Sequence, residues 1–251
     1  MMTQLFGFTR NVVTNRYALL TPAGFVTAPL PGWRDASCVV LISPAMGANF
    51  SQLLITLTKR GHGMGRTDAD ELFAIVLNGA CRAVIDRRPH RLEEGGYVFV
   101  PPGKSFEFSR AAEGTQLLMF QKRFVPLAGT PKPRLVAGQI REQPGVPFLG
   151  DPDASLQTLL PDTAAFDLAV NIFTFQPGAT LPFVESHIME HGLLMLAGQG
   201  IYRLDADWHP VQAGDVIWMA PYCPQWFVAV GKAPARYIYY KDVNRPAFSR
   251  P

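Results

Sequence analysis

Residues 185–198 read Glu-Ser-His-Ile-Met-Glu-His-Gly-Leu-Leu-Met-Leu-Ala-Gly. Glu185 and His187 are two apart, so on an extended chain both side chains leave the same face. His191 follows four residues later, beyond an expected bend, where it can swing back beside them. One carboxylate and two imidazoles gathered in this way form a facial set that binds divalent metals. The apolar run Leu193 to Leu196 then closes at Gly198, the pattern of a short buried strand ended by a turn. A lone histidine between apolar runs is ordinarily a satisfied core residue. Here two of the chain's five histidines stand beside a carboxylate in one such place.

Sliding the sequence by 119 residues lays this stretch on an earlier one. Leu77 falls on Leu196, Gly79 on Gly198, Asp86 on Asp205, His90 on His209, Gly95 on Gly214, Pro102 on Pro221, Phe108 on Phe227 and Lys122 on Lys241. A single offset that keeps glycines and a proline in register reads as two copies of one unit. In each copy a short apolar run stops at a glycine, a second glycine follows sixteen residues later, and a further strand ends in proline. Evenly spaced short strands with turn residues between them predict an all-β sandwich or barrel, made twice.

The second copy resembles the two cupin motifs: Gly178, then Glu185-x-His187-x3-His191-x6-Gly198, and later Gly214-x5-Ala220-x-Tyr222-x-x-Gln225. Cupins usually place His, His and Glu in the first motif and His in the second. Here Glu185 takes the first His position, His191 the Glu position and Gln225 the last His position. Further likeness comes from the entry segment Ala18-Leu-Leu-Thr-Pro-Ala-Gly24, the run Leu193 to Leu204 and the closing Tyr239-Tyr-Lys-Asp-Val-Asn-Arg245. With these segments the chain resembles, over nearly its whole length, the (S)-ureidoglycine aminohydrolase family, bicupins of purine catabolism.

The resemblance implies two tandem cupin barrels, each a double-stranded β-helix or jelly roll, and conversion of (S)-ureidoglycine and water to (S)-ureidoglycolate and ammonia. It implies one Mn2+ per chain on Glu185, His187, His191 and Gln225. Substrate would be bound by Glu185, Gln225, Tyr237 and Lys241, with Glu185, Tyr237 and Lys241 as the catalytic residues. Tyr237 and Lys241 are four apart near the last strand and share a face. Lys241 would pair the substrate carboxylate, and Tyr237 would donate a hydrogen bond to the ureido group or to developing charge. One carboxylate oxygen, two imidazoles and an amide oxygen make a fairly hard site with about two octahedral positions open, which suits Mn2+ and less strictly Fe2+ or Ni2+.

At the same offset the first copy offers Arg66, Asp68, Leu72 and Phe106, of which only Asp68 is a plausible ligand. The N-terminal cupin is therefore predicted to hold no metal. The expected divisions are an N-terminal arm 1–32, an N-terminal cupin lacking metal ligands 33–125, a Pro-, Gly- and Asp-rich linker 126–161 with at most a helical turn at Gln139 to Gln143, and a C-terminal metal-binding cupin 162–251. Glu190 has the wrong spacing to Gly198 for a ligand and reads as a supporting or surface acid. His62, His90 and His209 read as structural. The match of Lys122 to Lys241 argues for a plain strand-end lysine at the latter.

Composition excludes other classes. Hydrophobic residues make up 48% and charged residues 17%, the latter below the roughly 25% of ordinary soluble domains, so burial between halves and between subunits is expected and the chain reads as a homo-oligomer. A net charge of +3 without a basic stripe predicts no nucleic-acid partner and leaves a small-molecule substrate. No apolar run of signal-peptide or membrane-span length is present, so no membrane partner is expected. Cys38, Cys81 and Cys223 are odd in number and far apart, which predicts no disulfide framework and a cytoplasmic location. Gly198-Gln-Gly200 leads into another strand and is a turn, not a dinucleotide loop. Two further classes share the pattern. An Fe2+ dioxygenase would use two His and one carboxylate, but Gln225 fills a position that dioxygen and substrate would otherwise share. A non-catalytic small-molecule-binding bicupin needs no open metal positions, and the intact four-residue set weighs against it.

Overall fold

The computed structural model describes residues 9–245, so the first eight residues of the predicted arm and the last six of the chain lie outside the described residues. Regular structure within that span is antiparallel strand, apart from single 3-10 turns at Pro22–Gly24, Pro44–Met46 and Ile140–Glu142. Alternation produces many of these strands. In Ala80–Ile85 the residues Cys81, Ala83 and Ile85 are buried and those between them partly exposed. In Gln199–Leu204 the residues Gly200, Tyr202 and Leu204 repeat the pattern. Strands covered on both faces read instead as continuous buried runs, as in Gly96–Val100 and Val216–Met219.

The two halves order their strands alike. In the first, Val136–Gln139, Gly96–Val100, Asp70–Asn78, Thr115–Arg123 and Phe50–Arg66 lie edge to edge. Phe50–Arg66, 17 residues long, also pairs Ser105–Ser109, which leads on to Ala80–Ile85 and Arg88–Glu93. In the second half the order is Tyr17–Leu20, Val216–Met219, His191–Ala197, Ala235–Asp242, Leu168–Phe175 and Asp151–Thr158, with Asp207–Gln212, Gln199–Leu204 and Gln225–Val230 as a separate three-stranded sheet. There the counterpart of the long strand ends at Phe175, before Pro177 and Gly178. Beyond it the chain runs beside Gln225–Val230 in no regular strand, joined through isolated bridges at Thr180 to Val228 and Glu185 to Gln225. That interruption releases from the sheet the segment that carries Glu185 and His187.

The segments read as arm and linker carry strands of their own. Tyr17–Leu20 edges the second half beside Val216–Met219, and Val136–Gln139 edges the first beside Gly96–Val100. The expected helical turn forms at Ile140–Glu142.

Three apolar clusters divide the core. One fills the first half with Ile55, Leu72, Cys81, Phe108 and Met119, and one fills the second with Phe173, Phe175, Leu193, Tyr202 and Phe227. The third lies between them, with Phe50, Phe73, Phe99 and Phe120 set against Ile172, Trp218, Ile238 and Tyr240. Phe50 stacks on Tyr240 with ring centroids 4.1 Å apart. Each such side chain contributes about 1.5–3 kcal/mol on full burial, so the halves are held together by packing. All three cysteines are free and buried. No helix among the described residues is long and apolar enough to cross a membrane.

The offset of 119 needs correction at two places. It holds where Leu72 pairs Val100 as His191 pairs Met219, and where Phe106 pairs Ile85 as Gln225 pairs Leu204. In the last strand it slips: Gln121 pairs Leu72, whereas Lys241 pairs His191. Lys241 therefore corresponds to Gln121 and not to Lys122. A one-residue slip turns a side chain to the opposite face. Lys122 points between the halves, where its ammonium hydrogen-bonds Asp167 and lies 3.9 Å from Glu71. The second slip concerns Glu185. Gln225 bridges to Glu185, but Phe106 pairs Gly65, so Gly65 and not Arg66 takes that place. A side chain there would displace the Phe106 ring, which lies 2.7 Å from where a Cβ would sit. Glycine, an aromatic ring and the buried Leu72 thus replace Glu185, Gln225 and His191 in the first half.

Candidate active site

In the second half the apolar filling stops short and leaves a cavity of about 150 Å3. All six residues singled out from sequence line it: Glu185, His187, His191, Gln225, Tyr237 and Lys241. One wall is built by strand register. Lys241 lies opposite His191, Tyr239 opposite Leu193 and Tyr237 opposite Met195, and the period of two sends the lysine and both phenols to the same side. The facing wall is built by one backbone pair. Glu185 and Gln225 exchange reciprocal N–H to O bonds of 2.8 and 2.9 Å, and directly opposed residues of such a pair project together. His187 is fixed two residues on, its carbonyl accepting the Tyr222 N–H at 2.7 Å. The chain then bends at Ile188, as its sequence predicts, and enters the first wall at His191.

His187 Nε2 stands 3.0 Å from the Gln225 amide nitrogen and 4.0 Å from Glu185 Oε2. The two imidazole centroids are 4.8 Å apart. Burial governs the charges. It pushes the Glu185 carboxyl up, against the opposing pull of the Lys241 ammonium. It holds His191 well below the usual imidazole range, helped by His187 and Lys241, and lowers His187 for the same first reason. Both rings are therefore neutral at pH 7, the form whose lone pair binds a metal. Lys241 is lowered by burial and raised by Glu185. Burial raises Tyr202, Tyr237 and Tyr239, which keeps all three as O–H groups.

Two imidazoles, a carboxylate and a carboxamide match the donors taken by Mn2+, Fe2+ or Ni2+. His191 Nε2 is buried without a hydrogen-bond partner, a state that costs about 1–3 kcal/mol unless something in the cavity satisfies it. As the side chains lie, no three His, Cys, Asp or Glu among the described residues are gathered to ligating distance, so closing the set takes side-chain rotation. The residues fit a divalent ion in donor type, charge state and burial.

Sequence reasoning misses Tyr202, Tyr239 and Asn171. Tyr239 had a local signal, since it falls at strand period between Tyr237 and Lys241. Asn171 had none: it reaches Tyr239 from the neighbouring strand, donating from Nδ2 to the phenol oxygen at 3.2 Å. Glu190 is wholly buried and supports the site from behind. It accepts from the Asn49 backbone and side chain and from Trp218 Nε1 at 2.8 Å, tying the start of the His191 strand to the first half. His62 lies 3.4 Å from Glu107 and His209 3.1 Å from the Tyr17 hydroxyl, away from the cavity. A larger cleft of about 830 Å3 opens between the halves, but its charged lining is only Glu94, Arg141 and Arg236. The smaller cavity, with its ligating groups, is the one equipped for chemistry.

The model of the cupin domain matches residues 171–240, the span from Asn171 through Glu185 and Gln225 to Tyr240. An (S)-ureidoglycine aminohydrolase of Arabidopsis thaliana is 38% identical over 245 residues, 97% of this chain and 81% of its own length. The (S)-ureidoglycine aminohydrolase of Escherichia coli (strain K12) is 36% identical over 256 residues, 97% of each. The chain belongs to the (S)-ureidoglycine aminohydrolase family. The crystal structure of protein Ylba from E. coli superposes with a TM-score of 0.85 at 35% identity, covering 95% of this chain and 96% of that one. In this member of the aminohydrolase family the cavity has the volume of about five waters, at about 30 Å3 each. That is room for a small polar metabolite and none for a dinucleotide or a polymer.

Proposed function

We propose that this chain hydrolyses (S)-ureidoglycine to (S)-ureidoglycolate and ammonia in the cavity of its second half. The observation that carries the reading is the convergence of Glu185, His187, His191, Gln225, Tyr237 and Lys241 on one small cavity in a chain of that enzyme family. The architecture we infer is two tandem cupin barrels, 33–125 and 162–251, of which only the second holds metal, in a cytoplasmic homo-oligomer.

One Mn2+ per chain would be held by Glu185, His187, His191 and Gln225. When bound, the ion supplies Lewis-acid polarisation and fixes the orientation of the reacting carbon. Lys241 presents its ammonium to the substrate carboxylate, a charge-assisted contact strengthened by burial. Tyr237, which keeps its proton, donates to the ureido oxygen. A Glu185 oxygen accepts a proton from the attacking water and returns it to the departing amine. The water oxygen and its remaining hydrogen stay on carbon as the hydroxyl, and the amine leaves as ammonia. Phe173, Leu181, Leu193 and Met219 complete the lining and keep bulk water out.

The test is ammonia release from (S)-ureidoglycine generated enzymatically in the assay, because a geminal amine decomposes unaided. With Mn2+ supplied, release well above background with (S)-ureidoglycolate as product is expected. Release at the uncatalysed rate rejects the reading, and oxygen uptake in its place would point to a dioxygenase.

A further inference from the structure

The Gln225 carboxamide has two unlike ends, and only its oxygen binds a hard cation. In the structure the wrong end faces the ligand cluster. Gln225 Nε2 is 3.0 Å from His187 Nε2, and Oε1 is turned the other way, accepting from the Tyr202 hydroxyl at 3.4 Å. Tyr202 is buried, and it belongs to neither the set of ligands nor the set of substrate-binding groups proposed above. Its strand pairs Gln225 with Leu204 and Tyr202 with Phe227, which sets the Tyr202 ring diagonally beside the amide on the same face. Phe227, 5.5 Å away between ring centroids, packs against it. The Tyr237 ring stands 6.4 Å away between ring centroids.

A phenol both donates and accepts, so this contact forms with either end of the amide. In one orientation Tyr202 donates to Gln225 Oε1. In the other the amide is turned over and Gln225 Nε2 donates to the Tyr202 oxygen. The second arrangement turns Oε1 toward His187 and the ion.

We propose that Tyr202 is a positioning residue whose hydroxyl, by accepting from Gln225 Nε2, holds the carboxamide with its oxygen toward the metal. The proposal rests on Gln225 being a ligand. Its distinguishing feature is that it acts through the asymmetry of an amide. A carboxylate has oxygen at both ends and needs no such orientation.

The experiment is Mn2+ titration of the full-length protein, read by calorimetry and by the Mn2+ electron paramagnetic resonance signal, with no substrate present. Tyr202→Phe should weaken Mn2+ binding about ten- to hundred-fold, the usual effect of losing a group that orients a ligand. In a Gln225→Glu background the same substitution should cost less than about three-fold, since there is no amide left to orient. Tyr202→Leu in the same two backgrounds provides a second reading if Tyr202→Phe does not fold, and it should weaken binding in the wild-type background and not in Gln225→Glu. Unchanged affinity in Tyr202→Phe, or an equal loss in both backgrounds, overturns the proposal. Unchanged affinity in Gln225→Ala instead removes Gln225 from the ligand set, so failure of the underlying reading is told apart from failure of this one.

Discussion

His191 and Lys241 are direct cross-strand neighbours in the wall of the cavity, yet burial drives them to different uses. It leaves His191 with a neutral, unpartnered nitrogen, while Lys241 stays close enough to Glu185 for each to moderate the other's shift. Replacing Lys241 by Ala is expected to leave bound Mn2+ in place and to lower kcat/KM by tens- to thousands-fold, since losing one charged hydrogen bond to substrate removes about 2–5 kcal/mol. Ammonia release and elemental analysis on one preparation check both halves of that statement. His187→Ala and His191→Ala are each expected to lose the ion while keeping the fold, because neither imidazole belongs to the apolar clusters. Full activity in Lys241→Ala, or metal retained by the double histidine variant, contradicts this assignment of roles.

Between strands, register decides what a residue does, and Lys122 shows it. Offset counting makes Lys122 the twin of Lys241, but the pairing places it on the opposite face, buried against Asp167 between the halves. Removing one partner of a buried ion pair strands the other charge at a cost of about 3–5 kcal/mol. Lys122→Ala should therefore lower stability to urea by that amount while Mn2+ content stays at the wild-type level; loss of metal with little loss of stability would reverse the assignment. The same comparison marks how far the sequence can be read. Period-two alternation, the glycine turns and the spacing of Glu185, His187 and His191 are local patterns, and they place the strands and those three cavity residues; Gln225, Tyr237 and Lys241 are named by the family resemblance. The slip in the last strand arises in the turn before it, where one more residue separates Gln225 from Tyr237 than separates Phe106 from Leu117, and a turn's length leaves no mark in composition. The Asn171 contact to Tyr239 and the anchoring of Glu190 on Asn49 join residues far apart in the chain, so spacing is blind to them as well.

Across the whole molecule, the two halves meet through one apolar cluster with a few buried polar groups inside it. Glu71 and Asp167, one from each half, share Lys122. The ammonium goes to Asp167, which also accepts the Val125 N–H at 2.8 Å, and the Glu71 carboxyl is pushed up, first by burial and then by Asp167, with Lys122 opposing. Glu71 thus keeps its proton when folded at a pH where an unfolded glutamate, near about 4.3, has lost it. A folded pKa raised above the unfolded one contributes stability that is complete below the unfolded value and is lost as pH rises toward the folded value. Glu71→Gln, which copies the neutral shape, should match wild type at pH 5 and exceed it in urea unfolding at pH 8. The same difference at both values would show that Glu71 is ionised throughout. The first half contributes this packing, and Gly65, Phe106 and Leu72 occupy in it the places of Glu185, Gln225 and His191. The most direct measurement is therefore a titration of metal-stripped protein with Mn2+, following bound ion and ammonia release from (S)-ureidoglycine together. Activity should rise in proportion to bound Mn2+ and level off at one ion per chain; activity untouched by metal removal, or a plateau reached only at two ions per chain, would contradict a single metal-dependent aminohydrolase site in the second half.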